Sequence, residues 1–227
     1  MSTTSARPVP KPVALTLAAV VVVAYNTWML SPALPGNSAL MGYLSELAAK
    51  DQPWNWFYRA GDMMAAVAVC TVAALGWSAW QTWLGRWSRW MALSVGAIGA
   101  FTAIDAVFAM PCATTSDAAC KARETANFFA PEFFIHTAAS MAVGFAIAAS
   151  LFVGCWATRE RFVLALTAII LLAFAVTGIL SWWPGRWHGA PQAVQVAFTS
   201  VWLAYLAWRL QWQVDENEPA DLRKSEP

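Results

Sequence analysis

Six runs of predominantly apolar residues divide this chain, and its polar residues gather in the stretches between them. The runs lie near 13–30, 57–80, 90–110, 133–157, 162–182 and 190–210. Each approaches the roughly 20 apolar residues that a helix needs to cross a hydrocarbon core of about 30 Å. None alternates with the period of two expected of a lipid-facing barrel strand, so backbone groups within lipid must be satisfied along helices. The pattern predicts an all-α fold: a polytopic membrane bundle of six transmembrane helices over 13–212. It is flanked by an N-terminus at 1–12 and a tail at 213–227 in which no order is expected. Arg7, Lys11 and the run behind them also fit a signal peptide, with Ser31-Pro32-Ala33 as its cleavage site. The run exceeds an ordinary signal-peptide apolar region, which favours a retained first helix.

Between the first two runs, Pro32 to Trp56 is too long for a tight turn. Leu40, Tyr43, Leu44, Leu47 and Ala48 recur there at helical spacing, which predicts a short amphipathic helix resting on the outer interface. Ser45 and Glu46 are then its polar residues, set over the mouth of the bundle or simply solvated.

Composition agrees with a membrane protein: 59% of the residues are hydrophobic and 12% charged, and the mean hydropathy is +0.49. The net charge of +1 offers no basic field for nucleic acid. Lys and Arg divide unevenly between the two sets of connections. Arg7, Lys11, Arg86, Arg89, Arg159, Arg161, Arg209, Arg223 and Lys224 fall on one side; Lys50, Arg59, Lys121, Arg123 and Arg186 fall on the other. The richer side is expected to be cytoplasmic, which places both termini there. Tryptophans bracket the connections on both sides, as aromatic belts do. Cys112 and Cys120 share a loop assigned to the outside, where a disulfide persists. Cys70 and Cys155 lie inside apolar runs and read as packing residues.

The chemically unusual residues cluster at one predicted depth, near the outer ends of the runs. Arg59 and Asp62 open the second run three residues apart, on one helix face. They form either a local ion pair or part of a site. Asp105 comes near the end of the third run, where a lone acid is costly in lipid and calls for a partner. Glu132, His136 and Ser140 recur every four residues along one face of the fourth run and supply that partner. Arg186 and His188 precede the sixth run, in which Gln192 and Gln195 follow.

A carboxylate beside a histidine suits general acid–base chemistry, because the acid orients and charges the imidazole. Two histidines with acids also suit zinc, although no H-E-x-x-H spacing is present. Bis-histidine haem requires His136 and His188 to meet at one height across the bundle. No C-x-x-C pair supports thiol redox chemistry. Neither a metal nor a cofactor is assigned from the residues.

Two segments together carry a resemblance. Tyr43-Leu44-Ser45-Glu46-Leu47-Ala48-Ala49 with Arg59-Ala60-Gly61-Asp62 is one. Asp105, then Pro111-Cys112-Ala113-Thr114-Thr115-Ser116-Asp117-Ala118-Ala119-Cys120 with Arg123-Glu124, then His136 and Ser140, is the other. They resemble a bacterial membrane family known as domain of unknown function 998. The resemblance covers all six runs and implies fold and topology, with a multi-pass protein of the bacterial plasma membrane. Family members often carry an acid directly before the first loop cysteine, where this chain has Met110-Pro111. Gly189 and Gln192 resemble the start of the family's last span, with Ala193 where a basic residue is usual. The family is distantly similar to eukaryotic six-helix proteins linked to lipid handling, an analogy that favours a lipid-related role.

The expected function is therefore an outward-facing polar pocket that engages a membrane lipid or lipid-linked headgroup. His136 and Asp105 form the reactive or binding pair; Arg59 and Arg186 meet an anionic headgroup; Glu46 closes the mouth. Asp62, Glu132, Ser140 and His188 complete the lining. The alternative from another class is a non-catalytic scaffold whose charges only pair with one another. Transport is a third reading, disfavoured by charges clustered in one leaflet and the lack of an inverted repeat. Whether the protein is an enzyme, and its protein partners, stay open.

Overall fold

Proline and aspartate set where several helices begin. In the computed structural model, which describes residues 9–36, 39–182 and 187–211, α1 (Lys11–Tyr25) starts with a proline in its first turn. There the missing N–H costs no hydrogen bond. The long helix α6 (Pro131–Thr158) starts the same way. Asp117 caps α5 (Ala118–Ala126), accepting from the amides of Ala119 at 2.8 Å and Cys120 at 3.2 Å. The other helices are α2 (Asn55–Ala79), α3 (Gln81–Leu84), α4 (Ser88–Val107), α7 (Arg161–Ser181) and α8 (Gly189–Trp208).

The long helices pack in chain order, α1 on α2, α2 on α4, α4 on α6, α6 on α7 and α7 on α8, and α8 returns to α1. The α6–α7 pair makes the least contact of these neighbours. Four segments are long and apolar enough to cross a membrane: Asn55–Ala79, Gln81–Val107, Pro131–Thr158 and Arg161–Ser181. Large apolar side chains face outward along them, among them Val67, Leu93, Phe145, Phe152 and Leu172. In lipid such faces need no protein cover.

The first and last runs depart from a plain span. α1 ends at Tyr25, and a 3-10 helix over Thr27–Ala33 continues at an angle of 41°; together they make a fifth candidate span. The bend has a local cause. Asn26 Nδ2 donates to the Val22 carbonyl at 2.7 Å and to Ser200 Oγ on α8 at 2.8 Å, and Pro32 has no N–H to continue the ladder. α8 is helical throughout, but Gln192, Gln195, Thr199 and Ser200 interrupt its apolar sequence, and it does not reach the hydropathy of the other four.

At one end of the bundle the connections before α2 and before α6 interlock as a cap. The Lys50 amide donates to the Met110 carbonyl at 2.9 Å, and Asp51 Oδ2 accepts from the Ala113 amide at 3.2 Å. The expected interfacial helix is here a five-residue 3-10 helix, Leu44–Ala48, drawn into the cap. Leu47 and Ala48 pack with Ala39 and Tyr58.

At the opposite end Glu160, between α6 and α7, gathers three side chains. It accepts from Tyr205 Oη at 2.5 Å, Arg209 Nη2 at 2.7 Å and Trp83 Nε1 at 3.4 Å. The fully buried core lies toward this end, with Trp80, Trp202, Leu206 and Leu210 in it. Trp202 donates to Ser150 Oγ at 3.1 Å, and a Cβ on Gly154 would stand 2.7 Å from its ring, which accounts for a glycine there.

Candidate functional site

The lid of the site is built around Glu46, which is wholly buried. Its carboxylate accepts from Thr114 Oγ1 at 2.9 Å, from the Thr115 amide at 2.8 Å and from Thr115 Oγ1. These donors belong to the loop closed by the disulfide Cys112–Cys120, whose Cα atoms are 6.2 Å apart. A carboxylate taken from water must be met by such donors. Two glycines permit the fit: a Cβ on Gly42 would collide with the Glu46 carboxylate, and one on Gly189 with the carbonyls of Ala39 and Gly42. Gln192 Oε1 accepts from the Leu44 amide at 2.7 Å, tying the lid to the first turn of α8. Glu46 is therefore a fastened residue of the cap and is not solvated.

Beneath the lid, α4 and α6 bring together the residues read as a pair. Ser140 Oγ donates to Asp105 Oδ1 at 2.5 Å, and His136 Nδ1 stands 3.2 Å from the same oxygen. The histidine contact is an ion pair when the ring is protonated, but it lies off the line of a well-formed hydrogen bond. Asp105 Oδ2 and His136 Nε2 have no protein partner among the described residues. Serine bonds here to the acid and not to the imidazole, so these residues do not form the relay of a serine hydrolase, in which histidine must touch the serine oxygen.

Asp62 joins this pair from α2 and is close enough to Asp105 for the two carboxylates to repel. It has no hydrogen bond or ion pair among the described residues. Tyr58, Ala65, Ala66 and Val69, which flank it on its helix face, are buried, yet Asp62 is half-buried. Ser140 repeats the pattern on α6, where it is exposed although it shares a face with buried His136 and Ile147. Asp105, which bonds Ser140, is likewise half-buried. Tyr25 and Thr102 bond across the bundle at 2.8 Å and border the same region, the tyrosine lying within electrostatic reach of both acids. On α8, Thr199 Oγ1 is buried without a hydrogen-bond partner among the described residues.

Other expected site residues are held elsewhere. Arg59 does not pair with Asp62: its Nε donates to the Ala106 carbonyl at 2.8 Å and its Nη2 to the Val107 carbonyl at 3.3 Å, closing the C-terminal end of α4. Glu132 turns to Lys50, 2.6 Å away, on the exposed side of the cap. His188 is buried, with Nε2 against the Leu180 carbonyl at 2.9 Å and its ring on Tyr43. That engagement ties His188 to the end of α7. Arg186 lies outside the described residues. Among the described residues, no group of three His, Cys, Asp or Glu side chains converges to hold a metal ion.

Tyr25, Thr102 and Thr199 were not legible as site residues, since single hydroxyls in apolar runs carry no pattern. Gln195 and Thr199 stand four apart on one face of α8, the one spacing from which Thr199 could have been found. Two hollows, of about 550 Å³ and 430 Å³, lie away from this cluster, between α4 and α6 and around Arg86.

A family model described as "Protein of unknown function (DUF998)" matches residues 17–209. The match covers α2 to α8 and most of α1, and the chain belongs to this family. No curated protein and no solved structure matches it.

Proposed function

We propose that this member of the family is a six-span plasma-membrane protein of a bacterium, with both termini cytoplasmic. Beneath its outer cap, a polar chamber engages a membrane lipid or lipid-linked headgroup. The observation that carries the reading is the spare bonding capacity of Asp62, Asp105 Oδ2 and His136 Nε2, set beside inward-facing residues that keep some exposure. Unpaired carboxylates are expensive in a bundle and mark ligand sites more often than packing.

The same geometry refines the ligand. With Arg59 occupied by α4, the chamber presents acceptors and an imidazole, not a cluster of cations. It suits the hydroxyl or ammonium face of a headgroup, since a bare phosphate would meet two like charges. His136, oriented by Asp105, is the group able to take or give a proton there. The cap, fastened through Glu46 and the disulfide loop, covers the chamber from water.

Lipid mass spectrometry on the purified protein tests this, comparing wild type with His136→Ala and Asp105→Asn after equal folding has been verified. A lipid that co-purifies with wild type and is lost or altered in both variants supports the chamber. Identical lipid content in all three sinks it. The scaffold reading would then lead, and Glu46, Arg59 and Glu132, each satisfied by protein partners, already favour it for the residues around the rim.

A further inference from the structure

The two hollows at the other end of the bundle adjoin along the chain. The polar one, about 430 Å³, is lined by Gln81, Gly85, Arg86, Ser88 and Arg89, where α3 gives way to α4. The apolar one, about 550 Å³, runs between α4 and α6 from Trp87 and Trp90 toward Phe101, with Ala142, Ala149 and Phe152 on its other wall. Arg86 and Arg89 are exposed and have no acidic partner among the described residues. Each lies over an indole, Arg86 at 5.1 Å from Trp87 and Arg89 at 5.9 Å from Trp77, which holds the guanidinium groups at the level of the tryptophan belt. Gly85 has open space around it. Ser88 is buried, and its hydroxyl has no protein partner among the described residues.

We infer that this is a binding site for one anionic phospholipid of the leaflet on the Arg86 side, separate from the chamber under the cap and independent of its function. The phosphate sits in the arginine hollow, with Ser88 as an additional donor, and one acyl chain lies in the α4–α6 groove. Two features select this occupant over a second copy of the chain. From Trp90 to Phe101 the groove is about 16 Å long at 1.5 Å per residue, which is about half a hydrocarbon core of roughly 30 Å and so one leaflet deep. It also begins at two unpaired cations, which complement a phosphodiester and would face their own kind across a symmetric dimer.

The test uses the full-length protein in nanodiscs of phosphatidylglycerol mixed with phosphatidylcholine of the same chains, with retained lipid counted by native mass spectrometry. Wild type is expected to retain phosphatidylglycerol preferentially. Arg86→Gln with Arg89→Gln should weaken that retention by about 30-fold at low salt, at roughly a factor of five per cation, and leave phosphatidylcholine unchanged. Arg86→Lys with Arg89→Lys keeps the charge and should keep the preference, which added salt then abolishes. Ala149→Trp fills the groove and should lower retention of both lipids. Equal phosphatidylglycerol retention in the glutamine variant overturns the site, as does a salt-insensitive preference in the lysine variant if the glutamine variant fails to fold. A dimer that Ala149→Trp disrupts while lipid counts stay constant assigns the groove to a second copy and equally overturns it.

Discussion

Asp62 and Asp105 are the same residue type at similar depth, yet their surroundings differ. Asp105 receives a charge-assisted hydrogen bond from Ser140 and lies beside His136, while Asp62 receives none from the described residues. A hydrogen bond to a charged group contributes about 1.5–3 kcal/mol, whereas an unpaired acid close to another acid is a net cost to the fold. Asp105→Asn should therefore lower the unfolding free energy by about 1–2 kcal/mol, since asparagine still accepts from Ser140 as a neutral group. Asp62→Asn should leave it unchanged or raise it. Thermal unfolding of the two variants in one detergent compares them, and an equal loss at both positions would show that Asp62 has a structural partner after all. A residue whose removal helps the fold has a use other than stability, and that outcome at Asp62 would support the binding chamber proposed above.

At the scale of elements, the α6–α7 pair joins a clamped end to a loose one. Near Glu160 the two helices are tied to α3 and α8 through Trp83, Tyr205 and Arg209, and Cys155 contacts Thr167 at 3.1 Å. Toward the cap, Val176, Gly178, Ile179 and Ser181 on α7 are exposed, and Gly178 has nothing near it. Glu160→Ala removes three acceptor contacts, among them the ion pair with Arg209, whose side chain is 14% exposed. The expected loss is about 2–4 kcal/mol. Ser181→Ala removes the Tyr43 bond at the loose end and should cost under about 1 kcal/mol. Urea titration of both variants would overturn the clamp if the two losses were equal. The helices themselves were legible because an apolar run of this length admits little else in lipid, and the facing of Asp105 to His136 and Ser140 followed from a spacing of four on one helix. The bonding of Arg59 was not legible for a physical reason: its partners are the carbonyls of Ala106 and Val107, and backbone acceptors leave no mark in a sequence. The same holds for the bend at Asn26, made by a contact with Ser200 that is 174 residues distant.

For the whole molecule, the cap and the Glu160 clamp lie at opposite ends, so a single orientation fixes everything else. The cap holds the disulfide Cys112–Cys120, and the clamp end holds Arg86, Arg89, Arg159 and Arg161, a bias that retains basic connections in the cytoplasm. Both features fit the proposed orientation with the cap outside: a disulfide persists in an oxidising compartment, and the proposed lipid site at the arginine hollow would meet the anionic inner leaflet in that orientation. An impermeant maleimide applied to intact cells should label an Ala118→Cys substitution, at an exposed position of the disulfide loop. A Thr82→Cys substitution, beside the arginine hollow, should react only once the membrane is opened. Both native cysteines outside the loop complicate the reading, so Cys70→Ala and Cys155→Ala form the background. Labelling of the position-82 thiol in intact cells would invert the molecule, putting the chamber in the cytoplasm and its disulfide in a reducing compartment. The proposed engagement of a lipid headgroup from outside, beneath a cross-linked cap, requires the orientation with the cap outside, and this labelling pattern decides it.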